Sequence, residues 1–309
     1  MDKNPFSLYD FMGYLFPGCL AIIIYAYLYS AGFDIYKIAD IKNAKAFLGA
    51  CDLIKWESSL VIVVVGYTLG HILSYISSLV IEVIFTHRIF GYPSVYLLDS
   101  KQKSYGEAFF EYFVSDAPNY SKFWKYITII IKMLLKAIVL LVIFPVSLVV
   151  MSIGWISGLN SFIVRPMDEY LRISLKDKQF RLAERLKISH PDVNDKTCDY
   201  HRIVMHYVYM NLPNSQAKTN NYLALYGFLR SLTFIMCCTF DVLAVMALRT
   251  IDIGSPLCTE LLYLVGFFFV LSYLLYLGFV KFYRRFTVEN LMCLLVGMPE
   301  DVNNNVSNT

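Results

Sequence analysis

The stretch Ser58–Arg88, SSLVIVVVGYTLGHILSYISSLVIEVIFTHR, decides the fold. A helix needs about 20 mostly apolar residues to cross a bilayer, and this run supplies them. It also carries polarity in register. His71, Tyr75, Ser78 and Glu82 recur at three- or four-residue steps, which places them on one helical face, with Ser74 beside the row. Gly66 and Gly70 form a G-x-x-x-G, the spacing that lets two membrane helices approach closely. Ionisable groups at membrane depth are costly and face protein or a water-filled cavity. The polar row is therefore a seam buried between helices of one subunit, the lining of a pore, or part of a lipid-facing helix with snorkelling ends. Gly66 and Gly70 are expected to help hold copies of the chain together in an oligomer.

The rest of the chain agrees with a membrane setting. It is 57% hydrophobic and 17% charged, against about a quarter charged in soluble domains. Seven cysteines, odd in number and irregularly spaced, argue against a disulfide framework. The N-terminal residues lack the basic start and small-residue cleavage site of a secretory signal. The expected fold is all-α: a polytopic integral membrane protein with four, alternatively five, transmembrane helices and a helical cytoplasmic portion.

The expected divisions follow the hydropathy. Residues 1–85 hold the first two spans and a basic connector, and 86–126 a helical cytoplasmic segment. Residues 127–164 form a Pro145-kinked run that is either re-entrant or a third span. Residues 165–221 are basic cytoplasmic helices, 222–281 the last two spans, and 282–309 a tail. If the Pro145 run does not cross, most lysines and arginines gather on one side, as the positive-inside rule favours. If it crosses, they spread more evenly.

Two charges fall inside the fourth apolar run, Arg230 and Asp241. His71 to Glu82 and Arg230 to Asp241 have equal sequence separation. With the two helices antiparallel, Glu82 pairs with Arg230 and His71 with Asp241. With the helices parallel, as five spans require, neither pair matches.

The densest basic cluster comprises Arg165, Arg172, Lys176, Lys178, Arg181, Arg185 and Lys187, with Tyr170 and Phe180 interleaved. Cations bind phosphates and aromatics stack bases, so an anionic nucleotide or oligonucleotide is the expected ligand. Anionic lipid headgroups are the competing partner. Arg185 and His190 match the R-x4-H spacing of HEPN-type ribonucleases, which makes a membrane-bound ribonuclease the alternative. A membrane anchor that recruits a soluble partner is another. Cys198, His201 and His206 do not follow zinc-site spacing, so neither metal nor cofactor is expected. No phosphate-binding or hydrolase motif stands in the chain.

The opening YDFMGYLFPG, Tyr9–Gly18, together with the multi-span plan, resembles membrane proteins of bacterial anti-phage defence loci, such as the pore-forming effector of Hailong-type systems and the membrane accessories of CRISPR and RADAR loci. That resemblance implies a homo-oligomeric pore in the bacterial cytoplasmic membrane, gated by a nucleotide-derived ligand from a soluble nucleotide-synthesising partner. It transfers no individual functional residue.

Overall fold

The computed structural model describes residues 10–51, 56–98, 122–158, 163–187, 200–252 and 259–299. Among these, every regular element is helical. Four helices are long and apolar enough to cross a membrane: Phe11–Ser30, Ser59–Leu98, Pro213–Thr250 and Leu261–Gly297. The chain forms two compact units. The first takes in residues 1–90, 103–163 and 224–281, and the second residues 91–102, 164–223 and 282–309.

In the first unit, a π-helical turn, Phe11–Leu15, leads into α1, Phe16–Ser30, with Pro17 in the first turn, where its missing N–H costs nothing. Gly32 (φ 64°) and Phe33 (φ 53°) then turn the chain out of the helix through left-handed conformations. Asp34 caps the next short helix, Ile35–Ala39, accepting from the Tyr36 N–H at 3.0 Å. The decisive stretch becomes α2, Trp56–Ser77, and continues without a break as a π-helix, Ser78–Thr86.

The Pro145 run is bent. Helix α3, Lys122–Val142, meets α4, Phe144–Leu148, at a sharp corner; the segments Ile127–Val142 and Phe144–Ile153 diverge by 99°. Proline disfavours helical geometry in the residue before it and removes a donor. Ser147 repairs the corner by donating from Oγ to the Leu140 carbonyl at 2.8 Å.

Two very long helices complete the chain: α7, Gln216–Asp252, and α8, Thr259–Gly297. (Helices α5, Glu169–Arg185, and α6, Tyr200–Asn211, precede them.) Ring contacts Tyr226–Phe279 and Phe240–Phe269 show that α7 and α8 run antiparallel. Phe16 meets Phe228, and Leu28 packs with Leu243 and Met246, so α1 runs parallel to α7. Tyr14 meets His71 and Gly70, while Cys19 meets Gly66, so α2 runs antiparallel to α1. Directions therefore alternate: α2 and α7 are antiparallel. That is the relation four spans require of these two helices; the bent α3–α4 pair would make a fifth only if its two segments together counted as one span.

The second unit builds its own core from Pro93–Leu98, α5, α6 and the end of α8. Leu97, Leu175, Leu182, Val204, Leu291 and Leu294 are fully buried there. The expectation of a tail after Lys281 is thereby corrected. Lys281, Arg284 and Arg285 interrupt the apolar pattern but not the helix, because Phe286, Leu291 and Leu294 give the next turns a face to bury.

Candidate functional site

The charges of α2 and α7 find each other inside the first unit. Arg230 extends from α7 to Glu82 in the π-helical part of α2, where its Nη1 pairs with Oε2. Both side chains are largely shielded, 10% and 13% exposed. Ser78 Oγ donates to the same carboxylate oxygen at 3.4 Å. The second guanidinium nitrogen donates to the Ser74 carbonyl at 3.4 Å, and the Tyr226 ring lies 5.9 Å from the guanidinium carbon. His87 Nε2 stands 4.0 Å from the other Glu82 oxygen. Arg230 Nε–H meets no acceptor among the described residues.

Around this pair runs a belt of hydroxyls. Ser77 Oγ faces Ser231 Oγ at 3.4 Å, and Thr86 Oγ1 faces the Tyr276 hydroxyl at 3.2 Å. Thr86 also donates to the Ile81 carbonyl at 2.6 Å. The backbone permits this crowding. The π-helix bonds i to i+5, shown by the His87 N–H donating to the Glu82 carbonyl, and such segments concentrate at functional sites. Leu69 and Leu73 pack near Leu232, Ile235 and Met236, Ser77 faces Ser231, and the long Arg230 side chain reaches both Ser74 and Glu82, so α2 follows α7 in antiparallel register.

This arrangement corrects two expectations. The polar row does not share one environment: Ser78 and Glu82 turn inward with Ser74, whereas His71 and Tyr75 are exposed. The change to i+5 bonding at Ser78 rotates the later residues relative to the earlier ones. The His71–Asp241 pair does not form. His71 instead stacks on Tyr14, ring centroids 3.8 Å apart, and Asp241 lies at a cavity with Phe33 and Asp34. The change of period at Ser78 turns Glu82 toward Arg230 and leaves His71 on the face toward Tyr14, so only one pair comes together.

The glycines pack within the chain. A Cβ on Gly66 would sit 2.6 Å from Cys19 Sγ, and one on Gly70 would collide with the Tyr14 backbone. Gly18 of α1 is equally tight against the backbone of Gly66 and Gly70. The G-x-x-x-G is the α1–α2 contact, so the expected contact between copies does not use it.

The basic cluster is less free than its sequence density implies. Leu175, Gln179, Leu182 and Ala183 face inward on α5. Lys178 is drawn with them and donates to the Met298 carbonyl at 3.1 Å, where a cation suits a helix C-terminal end. Arg181 pairs with Asp177 at 3.0 Å, and Arg172 is half-buried. Lys176, Arg185 and Lys187 remain exposed, beside the exposed acids Asp177 and Glu184. His190 and Cys198 lie outside the described residues, so the Arg185–His190 pairing has no geometry here. Among the described residues, no group of three or more His, Cys, Asp or Glu side chains is placed to hold a metal ion.

Compared with protein families, curated proteins and solved structures, the chain finds no match.

Proposed function

We propose that the protein is a multi-pass membrane protein of the bacterial cytoplasmic membrane and that it forms a gated, oligomeric pore, with the Glu82–Arg230 pair as the latch of the closed state. One observation carries this reading: an ion pair with hydroxyl partners sits between two long apolar helices, at a π-helical irregularity in one of them. Ionisable residues inside an apolar bundle mark ion pathways and switches more often than they mark stability, since replacement of such a pair by apolar groups is often neutral or better. A helix that has already widened to i→i+5 bonding can shift by one residue at small cost, and a shift would part Glu82 from Arg230.

The trigger would act through the exposed cations Lys176, Arg185 and Lys187, which suit an anionic nucleotide. Anti-phage defence is the setting that the opening motif suggests. The test is ion efflux from vesicles containing purified protein. Wild type releases little alone, and Glu82→Gln releases at least about tenfold more. Equal efflux from correctly inserted wild type and variant would remove the latch from the account.

A further inference from the structure

A cavity of about 550 Å³ opens beside α7, lined by Phe33, Asp34, Tyr36, Val242, Val245, Met246 and the charged Asp241 and Arg249. Its size lies within the range of small-molecule sites, about 300–1,000 Å³. On α7 the lining residues recur at three- and four-residue steps, so the helix presents one continuous face to the cavity. That face is chemically graded. Asp241 stands at one end and Arg249 at the other, about 12 Å apart along the axis, with Val242, Val245 and Met246 between them.

Asp241 is half-buried, and no hydrogen bond or ion pair reaches its carboxylate among the described residues. A shielded carboxylate without a partner is costly, and a bound cation relieves that cost. Asp34 adds a second carboxylate, although it already accepts from the Tyr36 N–H and stands 3.9 Å from Lys37 Nζ. Arg249 is exposed and solvated. The lining thus carries two acids against one base, and the aromatic rings of Phe33 and Tyr36 add faces that attract a cation. Phe33, at φ 53°, is fixed in the turn that ends α1 by its N–H, which donates to the Leu28 carbonyl at 3.0 Å.

We infer that this cavity binds a small organic monocation with an apolar body, its ammonium on Asp241 and its body against Val242, Val245, Met246 and Phe33. A bare inorganic cation would leave the apolar wall unused, and an organic anion would meet two carboxylates. The inference is independent of the latch: Asp241 and Arg230 occupy different surroundings, and the site could serve a closed or an open bundle.

The test uses the full chain in detergent and three probes. Phenethylammonium has both charge and body, phenylacetate has the body with the opposite charge, and ethylammonium has the charge without the body. Calorimetric titration is expected to give saturable binding for phenethylammonium, at least tenfold weaker binding for ethylammonium, and none for phenylacetate. Asp241→Asn should weaken phenethylammonium at least tenfold. Val245→Trp, which keeps Asp241 and fills the cavity from its exposed rim, should abolish binding while thermal unfolding stays cooperative. Equal affinity for phenethylammonium and phenylacetate, or undiminished binding to Val245→Trp, would overturn the assignment, as would absence of binding to the wild type.

Discussion

Helix α2 makes two contacts of opposite character, with α1 through glycines and with α7 through charges. At the first, Gly66 and Gly70 meet Gly18, Cys19 and the Tyr14 backbone at a separation that leaves no room for a Cβ. At the second, Ser74, Ser77 and Glu82 meet Arg230 and Ser231 through groups with hydrogen-bonding alternatives, and Ser78 supports the Glu82 carboxylate. Backbone-to-backbone packing has one solution and resists sliding. A polar seam has several, since hydroxyls and guanidinium nitrogens exchange partners. The same helix is thus anchored at one place and adjustable at another, and the adjustable place is where its hydrogen bonding widens.

The largest effect is expected at the anchor. Gly70→Leu drives a side chain into the Tyr14 backbone, which cannot yield as a flexible side chain would. Overpacking costs about 1–3 kcal/mol where neighbours can move and more where they cannot. Loss of the folded protein, or a large fall in its thermal midpoint in detergent, is the expected result; a midpoint within a degree of wild type would show that α1 does not need this approach.

Next comes the seam. Arg230→Met leaves Glu82 without its charge partner, at a cost of about 3–5 kcal/mol if the site is dry. Adding Glu82→Leu should recover most of that loss, because the apolar pair replaces two desolvated charges. A double variant as unstable as the single one would mean that the pair does not act as a unit, which a double-mutant cycle measures directly.

Smaller effects belong to the hydroxyl belt. Ser77→Ala and Thr86→Ala each remove one neutral hydrogen-bonding group, worth about 1 kcal/mol. Their predicted effect on thermal midpoint is correspondingly slight. If Thr86→Ala rivals Arg230→Met, the Thr86–Tyr276 contact carries more of the seam than the ion pair does.

Much of this was legible in the residues. Long apolar runs identified the four long helices, and Pro145 marked the corner, because both signals are local. Gly66 and Gly70 announced a close approach, but one sequence cannot say whether the partner is another helix of the chain or another copy. Glu82 and Arg230 were recognisable as candidates for each other since isolated charges in apolar helices need partners. The second pairing, His71 with Asp241, rested on one unbroken helical period from His71 to Glu82. Nothing in the sequence SSLVIEVIFT signals i→i+5 bonding, and without it the roles of Ser77, Thr86, His87, Ser231 and Tyr276 could not be read. The continuation of α8 to Gly297 was obscured by three cations in five residues, which mimic a stop although the apolar face resumes beyond them.

The central claim is that attraction between Glu82 and Arg230 holds the bundle closed. It is tested most directly by ion efflux from vesicles containing wild type, Arg230→Glu, or the exchange Glu82→Arg with Arg230→Glu. Arg230→Glu places two acids together and should raise efflux at least about tenfold, and the exchange, which restores opposite charges with reversed positions, should bring it back toward the wild-type level. If the exchanged protein inserts and remains folded yet leaks as freely as Arg230→Glu, or if neither differs from wild type, the pair is not the latch.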